Sequence, residues 1–282
     1  MKYFLAVDLE GATGVVHHDQ LMPDGRGYAA AQRWLTGDIN AAIRGICAAD
    51  AAAEIVVGDG HGIMRNVLLD ELDDRAMLVV GPGRYENKPL CQCEGIDASF
   101  DLGMLIGFHT RAGTPGGLLA HTFVGSTICD LSLNGRVAGE AEIDAAIMAS
   151  YGVPVGLIVG NSDLEPEVRA WDPTVTFYAT KTTLGPTAGI CKTPRRTARE
   201  IEEIARQVVE RRTFSLRENP ATTTLTATLY RREMLDRAAT VNGVHVVDDR
   251  TFSVTHANAA EAFRMFWNAI TRTLEDPQPW LK

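Results

Sequence analysis

The sequence has no excess of positive charge. Its 282 residues include 27 lysines and arginines against 36 aspartates and glutamates, a formal net charge of -9. Nucleic acids and anionic membranes are bound through clustered cations, and the most basic stretch, residues 195–217, is interrupted by glutamates. We therefore expect no nucleic-acid partner and no membrane partner.

Long apolar runs are also missing. No stretch approaches the roughly 20 apolar residues that a membrane-spanning helix needs. The N-terminal residues reach the acidic Asp8 too early for a secretory signal peptide. These two features predict a cytoplasmic protein.

Cysteines are few and scattered. There are five, an odd number, and they do not form the regular spacing of a disulfide framework. Cys91 and Cys93 have the spacing of half a metal site, but no second cysteine pair accompanies them. We interpret them as ordinary thiols.

The first part of the chain alternates short apolar runs with helical patterns, which is typical of parallel strands joined by crossover helices. The sequence therefore predicts an α/β fold with a mostly parallel sheet flanked by helices. The predicted strands are residues 3–8, 54–57, 77–80, 102–107, 155–159 and 174–180, and the predicted helices are residues 28–53 and 139–151.

The pattern changes near residue 190. Thr193 and Pro194 form a typical helix start, and Leu225, Ala227 and Leu229 alternate with threonines as in a half-buried strand. Further strands are predicted at residues 244–247 and 251–255, followed by a final helix at 259–274. We expect a metal-binding catalytic domain of residues 1–190 and a smaller α/β lobe of residues 191–282 packed on it.

Metal-ligand residue types follow three of the predicted strands. Asp8 and Glu10 follow the first strand, Asp59 and His61 the second, and His109 the strand at residues 102–107. In open α/β sheets, functional groups gather at the carboxyl ends of the strands. These side chains are therefore candidates for one site.

Asp8 and Glu10 would repel each other at a frayed strand end unless a cation lay between them. A mixed set of carboxylates and imidazoles suits zinc better than calcium or magnesium. The alternative is a surface acidic pair with two loop histidines. Spacing alone does not decide between these interpretations.

Six separated strings carry a more specific signal, and through them the chain resembles the DppA-type D-aminopeptidases of peptidase family M55. Their order and rough spacing agree across nearly the whole chain. The strings are residues 7–14 (VDLEGATG), 58–61 (GDGH), 107–116 (GFHTRAGTPG), 121–122 (HT), 134–135 (NG) and 139–140 (GE).

This resemblance implies two zinc ions per chain. Asp8 would bridge the ions, with Glu10 and His61 completing one ion's ligands and His109 and Glu140 completing the other's. Such a pair activates a shared water and polarises the scissile carbonyl.

His121 is the catalytic histidine that the resemblance implies, outside the metal ligands. The implied activity is removal of N-terminal residues, often D-configured, from short peptides or aminoacyl amides. The resemblance also implies a ring-shaped homo-oligomer, a decamer.

The sequence departs from the family pattern at three places. The segment between His109 and His121 holds one extra residue, Gly60 replaces a serine, and Asn161 stands where an acidic residue is usual. These departures leave open a zinc hydrolase acting on a small non-peptide amide. A non-catalytic oligomeric metal-binding protein is the other alternative. For Lys181, contact with substrate and a surface salt bridge both remain open.

Overall fold

The computed structural model describes residues 1–218 and 220–274, and two β-sheets organise them. The larger sheet has seven strands in the order β3-β2-β1-β4-β7-β8-β9, and the smaller has five in the order β11-β12-β10-β5-β6. The strands are β1 (Lys2–Val7), β2 (Glu54–Asp59), β3 (Ala76–Val79), β4 (Leu102–Phe108), β5 (Ile128–Leu133), β6 (Arg136–Val137), β7 (Val155–Asn161), β8 (Thr176–Gly185), β9 (Ala188–Cys191), β10 (Thr223–Leu229), β11 (His245–Val246) and β12 (Thr251–His256).

All neighbouring strands of the larger sheet run parallel except β8 and β9, which pair antiparallel. Successive residues of the central strand β1 enter different cores, with Phe4 on one face and Tyr3 and Leu5 on the other. A strand buried on both faces needs an uninterrupted apolar run, as residues 3–7 provide.

The described part of the chain also contains six α-helices: α1 (Tyr28–Ala49), α2 (Glu140–Ser150), α3 (Glu165–Trp171), α4 (Pro194–Arg211), α5 (Arg232–Ala238) and α6 (Ala259–Thr273). Apolar residues of α1 and α4 share one core with the larger sheet, whereas α2 and α6 share the other core with both sheets. The predicted mostly parallel sheet flanked by helices is confirmed. Among residues 1–218 and 220–274, no helix is both long and apolar enough to span a membrane.

The smaller sheet is antiparallel and combines distant parts of the chain. Strand β10 pairs with β12 on one side and with β5 on the other, so that Leu225 lies opposite Leu133. The alternating burial of β10 confirms its predicted half-buried character. The division into domains at residue 190 stays a prediction.

Two predicted boundaries differ from the structure for identifiable reasons. The helix predicted for residues 28–53 ends at Ala49 because Asp50 turns away, and its carboxylate accepts a hydrogen bond from the N-terminal amine at 2.7 Å. The strand predicted for residues 174–180 starts at Thr176 because Asp172 caps a turn over Thr174 and Val175. It continues to Gly185, which places Lys181 inside the strand.

Two glycines of α1 offer a matched test of the packing between α1 and α4. A Cβ on Gly45 would lie 2.2 Å from the backbone oxygen of Glu202 in α4, whereas a Cβ on Gly37 would have no neighbour within 4 Å. We expect Gly45→Ala to lower the free energy of unfolding by more than 1 kcal/mol through steric strain. Gly37→Ala should instead raise it by about 0.5–1 kcal/mol because alanine favours helix. Chemical denaturation measures both, and equal effects of the two substitutions would contradict this packing.

Candidate metal centre

Three adjacent parallel strands carry the predicted ligands to one edge of the larger sheet. Asp8 follows the end of β1, His61 follows β2 and His109 follows β4, and β1 lies between the other two strands. The register pairs Val7 with Asp59 and with Ile106, so the three strands end at nearly the same level. The strand-end argument therefore places these side chains together, as expected.

Glu140 and His121 reach the same place by other routes. Glu140 is the first residue of α2, and its carboxylate accepts a hydrogen bond from the backbone N–H of Phe123 at 2.7 Å. An acidic residue at this position also suits the helix dipole. His121 lies in the loop between β4 and β5, and its ring stacks on that of His109 with centroids 4.3 Å apart.

The Asp8 carboxylate lies between two groups of side chains. Its Oδ1 is 3.5 Å from Nδ1 of His61, and its Oδ2 is 3.4 Å from Nε2 of His109. His61 Nδ1 is also 2.9 Å from Glu10 Oε2, and His109 Nε2 is 3.4 Å from Glu140 Oε1. Asp8 thus directs one oxygen toward each group.

The ligand atoms form three groups, each with all of its atoms within 4.8 Å of one another. Two of them share Asp8 and contain the five residues that the sequence predicts as ligands. The third includes His121, which the sequence predicts to lie outside the metal ligands. The groups are Asp8 with Glu10 and His61, Asp8 with His109 and Glu140, and Glu10 with His109 and His121.

Several polar atoms in this cluster are buried without a hydrogen bond. Among the described residues, Asp8 Oδ2, Glu10 Oε2 and His109 Nε2 find no hydrogen-bond partner. Such groups are costly to bury, and a bound ion is one established reason for them. These unpaired atoms are donors of the type that a metal ion coordinates, so the residues fit a metal.

Each of the three imidazoles is fixed through one ring nitrogen. His61 Nε2 lies 2.8 Å from the backbone oxygen of Leu21, and Nδ1 of His109 and of His121 each lie 2.9 Å from a backbone oxygen. A carbonyl oxygen only accepts hydrogen bonds, so the ring nitrogen facing it carries the proton. In the neutral ring the other nitrogen then keeps a lone pair. That other nitrogen faces the carboxylates, the orientation typical of metal-ligating histidines.

Burial and mutual repulsion make the cluster unfavourable without a cation. Burial and the charge of Glu10 raise the pKa of Asp8 to about 7. Burial alone would lower the pKa of His109, but Glu140 and the other carboxylates outweigh it and raise that pKa to about 10. His61 shows the same balance, with its pKa raised well above the usual value by Glu10 and Asp8. Protonated histidines supply part of the positive charge that a metal ion would provide.

The loop after β1 is held by side chains from β8. Thr180 Oγ1 donates to the backbone oxygen of Gly11 at 2.8 Å, and Lys181 Nζ donates to that of Ala12 at 2.6 Å. Lys181 is 1% exposed, and burial lowers its pKa to about 7. The surface salt bridge considered from the sequence is therefore wrong, because Lys181 is buried and supports the loop that carries Glu10.

Asp59 plays a different role from its neighbour His61. Its carboxylate accepts hydrogen bonds from the backbone N–H groups of Asn66 and Val67 and from the Asn66 amide. The same amide donates to the backbone oxygen of His61 at 2.6 Å. Asp59 and Asn66 thus shape the loop that presents His61. No signal in the sequence indicated this role for Asn66.

The departures from the family pattern are structurally connected to the site. A Cβ on Gly60 would lie 2.4 Å from Cβ of Gln92, so glycine makes room for that side chain. Asn161 Nδ2 donates to the backbone oxygen of Leu118 at 3.3 Å, and Asp163 accepts from the Leu118 N–H at 2.7 Å. These two side chains fix the segment that holds the extra residue.

The cluster opens into a cavity of about 740 Å³. Asp8, Glu10, His61, His121 and Glu140 form its polar end. Other lining residues were not predicted from the sequence. They include Met64, Arg84, Phe123 and Trp267.

Comparison with known proteins identifies clear relatives. The family model described as D-aminopeptidase, Peptidase M55, matches residues 1–268. A D-aminopeptidase of Bacillus subtilis (strain 168) is 29% identical over 207 residues, which cover 72% of each chain. The solved structure of a Zn-dependent D-aminopeptidase, DppA from Bacillus subtilis, described as a self-compartmentalizing protease, has a TM-score of 0.91 and 23% identity. The alignment covers 98% of this chain and 99% of that one.

The raised pKa of Asp8 predicts that the effect of Asp8→Asn on the melting temperature has opposite signs without and with zinc. With a folded-state pKa of about 7 against an ordinary value of 3.8, ionised Asp8 destabilises the metal-free fold as pH rises through this range. In a chelator at pH 8, Asp8→Asn should therefore melt at a higher temperature than wild type. The gap should narrow as the pH is lowered toward about 5, where Asp8 is protonated in the fold.

Added zinc should reverse this order. Saturating zinc should raise the melting temperature of the wild type by roughly 5–10 °C, the size expected at about 100 times the Kd, and Asp8→Asn should gain far less. Asp130→Asn, an exposed site on β5, is the control and should match wild type throughout. Equal stabilisation of wild type and Asp8→Asn by zinc would disprove the role of Asp8.

Proposed function

The chain belongs to the M55 family of D-aminopeptidases, and we propose that it is a zinc-dependent aminopeptidase that releases N-terminal residues, including D-residues, from short peptides or aminoacyl amides. Of the observations that support this proposal, the strongest is the Asp8 carboxylate, placed between two groups of imidazole and carboxylate ligands. This donor set suits zinc. The proposed content is two zinc ions per chain, and Asp8, which belongs to two of the ligand groups, would contribute to holding both.

The remaining ligands divide between the two ions. Glu10 and His61 complete one set, and His109 and Glu140 complete the other. When bound, a zinc pair lowers the pKa of water toward neutrality and polarises the carbonyl of the scissile amide. The side chains of His61, His109 and Glu140 keep their orientation through hydrogen bonds to the backbone, so little reorganisation is needed during the reaction.

His121 is the proposed catalytic residue. Its side chain is 26% exposed, against 8% for His61 and 1% for His109, so it is the member of this trio that a substrate reaches. Its Nδ1 is fixed on the backbone oxygen of Leu119. Nε2 is therefore free to accept a proton from the attacking water and to donate it to the leaving amine. Nε2 lies 3.8 Å from Glu10 Oε1 and 3.9 Å from Glu140 Oε1.

Gly125 keeps the ring of His121 accessible. A Cβ at this position would lie 3.1 Å from Cβ of His121 and 3.5 Å from Cδ2. A larger residue would crowd the side chain. Glycine here leaves room for a substrate above the imidazole.

Family membership favours peptides over the two alternatives considered from the sequence, a small non-peptide amide and a non-catalytic metal-binding role. The solved relative is described as self-compartmentalizing, and we propose a homo-oligomer for this chain as well. The ring-shaped decamer and the cytoplasmic location stay predictions.

The proposed function predicts hydrolysis that depends on a free amino group and on His121. Zinc-loaded wild type should hydrolyse an aminoacyl amide and fail on the same amide acetylated at its amine. His121→Ala should lose kcat by roughly 10²-fold or more, the usual size of a general acid–base or oxyanion contribution. Its zinc content should stay at the wild-type value of about two per chain.

Two variants serve as controls for this experiment. His109→Ala should lose zinc and turnover together because a missing ligand weakens the hold on the ion. His245→Ala, on the exposed strand β11, should match wild type in both. A near-normal kcat in His121→Ala would refute its catalytic role, and loss of zinc in that variant would make it a ligand instead.

A further inference from the structure

Three large apolar side chains, those of Met64, Phe123 and Trp267, also line the catalytic cavity, and we call them the apolar wall. Met64 is 4% exposed and Trp267 is 5% exposed. The metal ligands and His121 at the polar end of the cavity have proposed roles, but these three apolar side chains have none so far. A pocket of about 740 Å³ is within the usual range for organic ligands, and such pockets are lined mainly by apolar groups.

The wall begins directly beside the metal ligands. The backbone N–H of Met64 donates to the backbone oxygen of His61 at 2.7 Å. The backbone N–H of Phe123 donates to the carboxylate of Glu140, also at 2.7 Å. A group bound against these side chains therefore lies next to the bond to be cleaved.

The backbone at the wall is strained. Six non-glycine residues of the described chain have positive φ angles, and four of them line this cavity: Met64 (53°), Cys91 (51°), Leu119 (53°) and Phe123 (52°). This conformation is unfavourable for bulky side chains and is concentrated at ligand sites. The strain at Met64 and Phe123 points to a functional reason for the direction of their side chains.

The wall is also rigid. The indole Nε1 of Trp267 donates to the backbone oxygen of Gly83 at 2.5 Å, and the indole stacks on Phe263 with centroids 6.0 Å apart. Phe123 packs against Phe263 with a centroid distance of 5.1 Å. A preformed apolar surface binds an apolar group without the cost of ordering its own side chains.

We propose that the apolar wall binds a large apolar side chain, aromatic or branched aliphatic, on the residue released from the substrate. This inference rests on the proposed aminopeptidase function and names its substrate class. An alanine side chain would leave the cavity in front of the wall largely unfilled, whereas a phenylalanine or leucine side chain would fill it and contact the wall.

A matched substrate series tests the proposal. Alanyl, leucyl and phenylalanyl amides with one common leaving group, each in D and L form, are compared on the zinc-loaded protein. In the preferred configuration, kcat/KM for the phenylalanyl or leucyl amide should exceed that for the alanyl amide by roughly tenfold or more, as expected for several buried methylene groups. Equal or faster hydrolysis of the alanyl amide would overturn the proposal while leaving the aminopeptidase function intact.

A variant pair ties the preference to the wall. Met64→Ala should lower the phenylalanyl-to-alanyl ratio of kcat/KM by roughly fivefold or more, because the wall loses a large side chain. Met234→Ala in α5 removes an equally buried methionine, 5% exposed, outside the cavity lining. It should leave the ratio unchanged. An unchanged ratio in Met64→Ala would contradict the proposal.

Calorimetry with free amino acids gives a readout independent of turnover. Phenylalanine of the preferred configuration should bind the zinc-loaded protein at least roughly tenfold more tightly than alanine. If no aminoacyl amide is hydrolysed, the proposed function fails. Calorimetry then still tests whether the wall binds a large apolar side chain. Tighter binding of phenylalanine then supports the wall as an apolar recognition surface, and equal binding overturns it.

Discussion

Three carboxylates are buried at the edge of a parallel sheet, and that of Asp8 lies within 4.8 Å of those of both Glu10 and Glu140. Bringing such charges out of water is unfavourable unless positive charge accompanies them. In the metal-free protein this charge comes from protonated imidazoles, with the pKa of His109 raised to about 10. The proposed pair of metal ions would meet the same need through the atoms that have no hydrogen-bond partner. The remainder of the site can be understood as a means of holding these carboxylates in place.

The supporting interactions come from elements distant from the chemistry. Lys181 and Thr180 in β8 hold the loop that carries Glu10, and Asp59 orders the loop that carries His61. Phe123 connects two functions, because its backbone N–H binds the Glu140 carboxylate while its ring forms part of the apolar wall. Changes in the wall are therefore coupled to the position of a metal ligand. This coupling gives a physical reason for the positive φ angle of Phe123.

Local sequence patterns predicted the parts of the fold and site that depend on neighbouring residues. Asp8, His61 and His109 could be found because each follows an apolar strand, and strand ends meet at one sheet edge. Glu140 could not be found in this way, since an acidic residue in the first turn of a helix is common for electrostatic reasons alone. Its assignment came from the family resemblance, as did that of His121.

Features that depend on distant contacts escaped the sequence. The pairing of β5 with β10 joins segments about ninety residues apart and has no local signal. The residues of the apolar wall, Met64, Phe123 and Trp267, are of types common in protein cores. Only the folded chain shows that they line a cavity. Lys181 is the opposite case, a residue type expected at the surface that is buried here. Its amine supports the loop after β1.

The central claim is that Asp8 joins two metal positions, and anomalous diffraction from a zinc-loaded crystal tests it most directly. The account predicts two anomalous peaks per chain that share Asp8. One should be bounded by Glu10 and His61, and the other by His109 and Glu140. A single peak, or a peak held by His121 in place of Asp8, would contradict it.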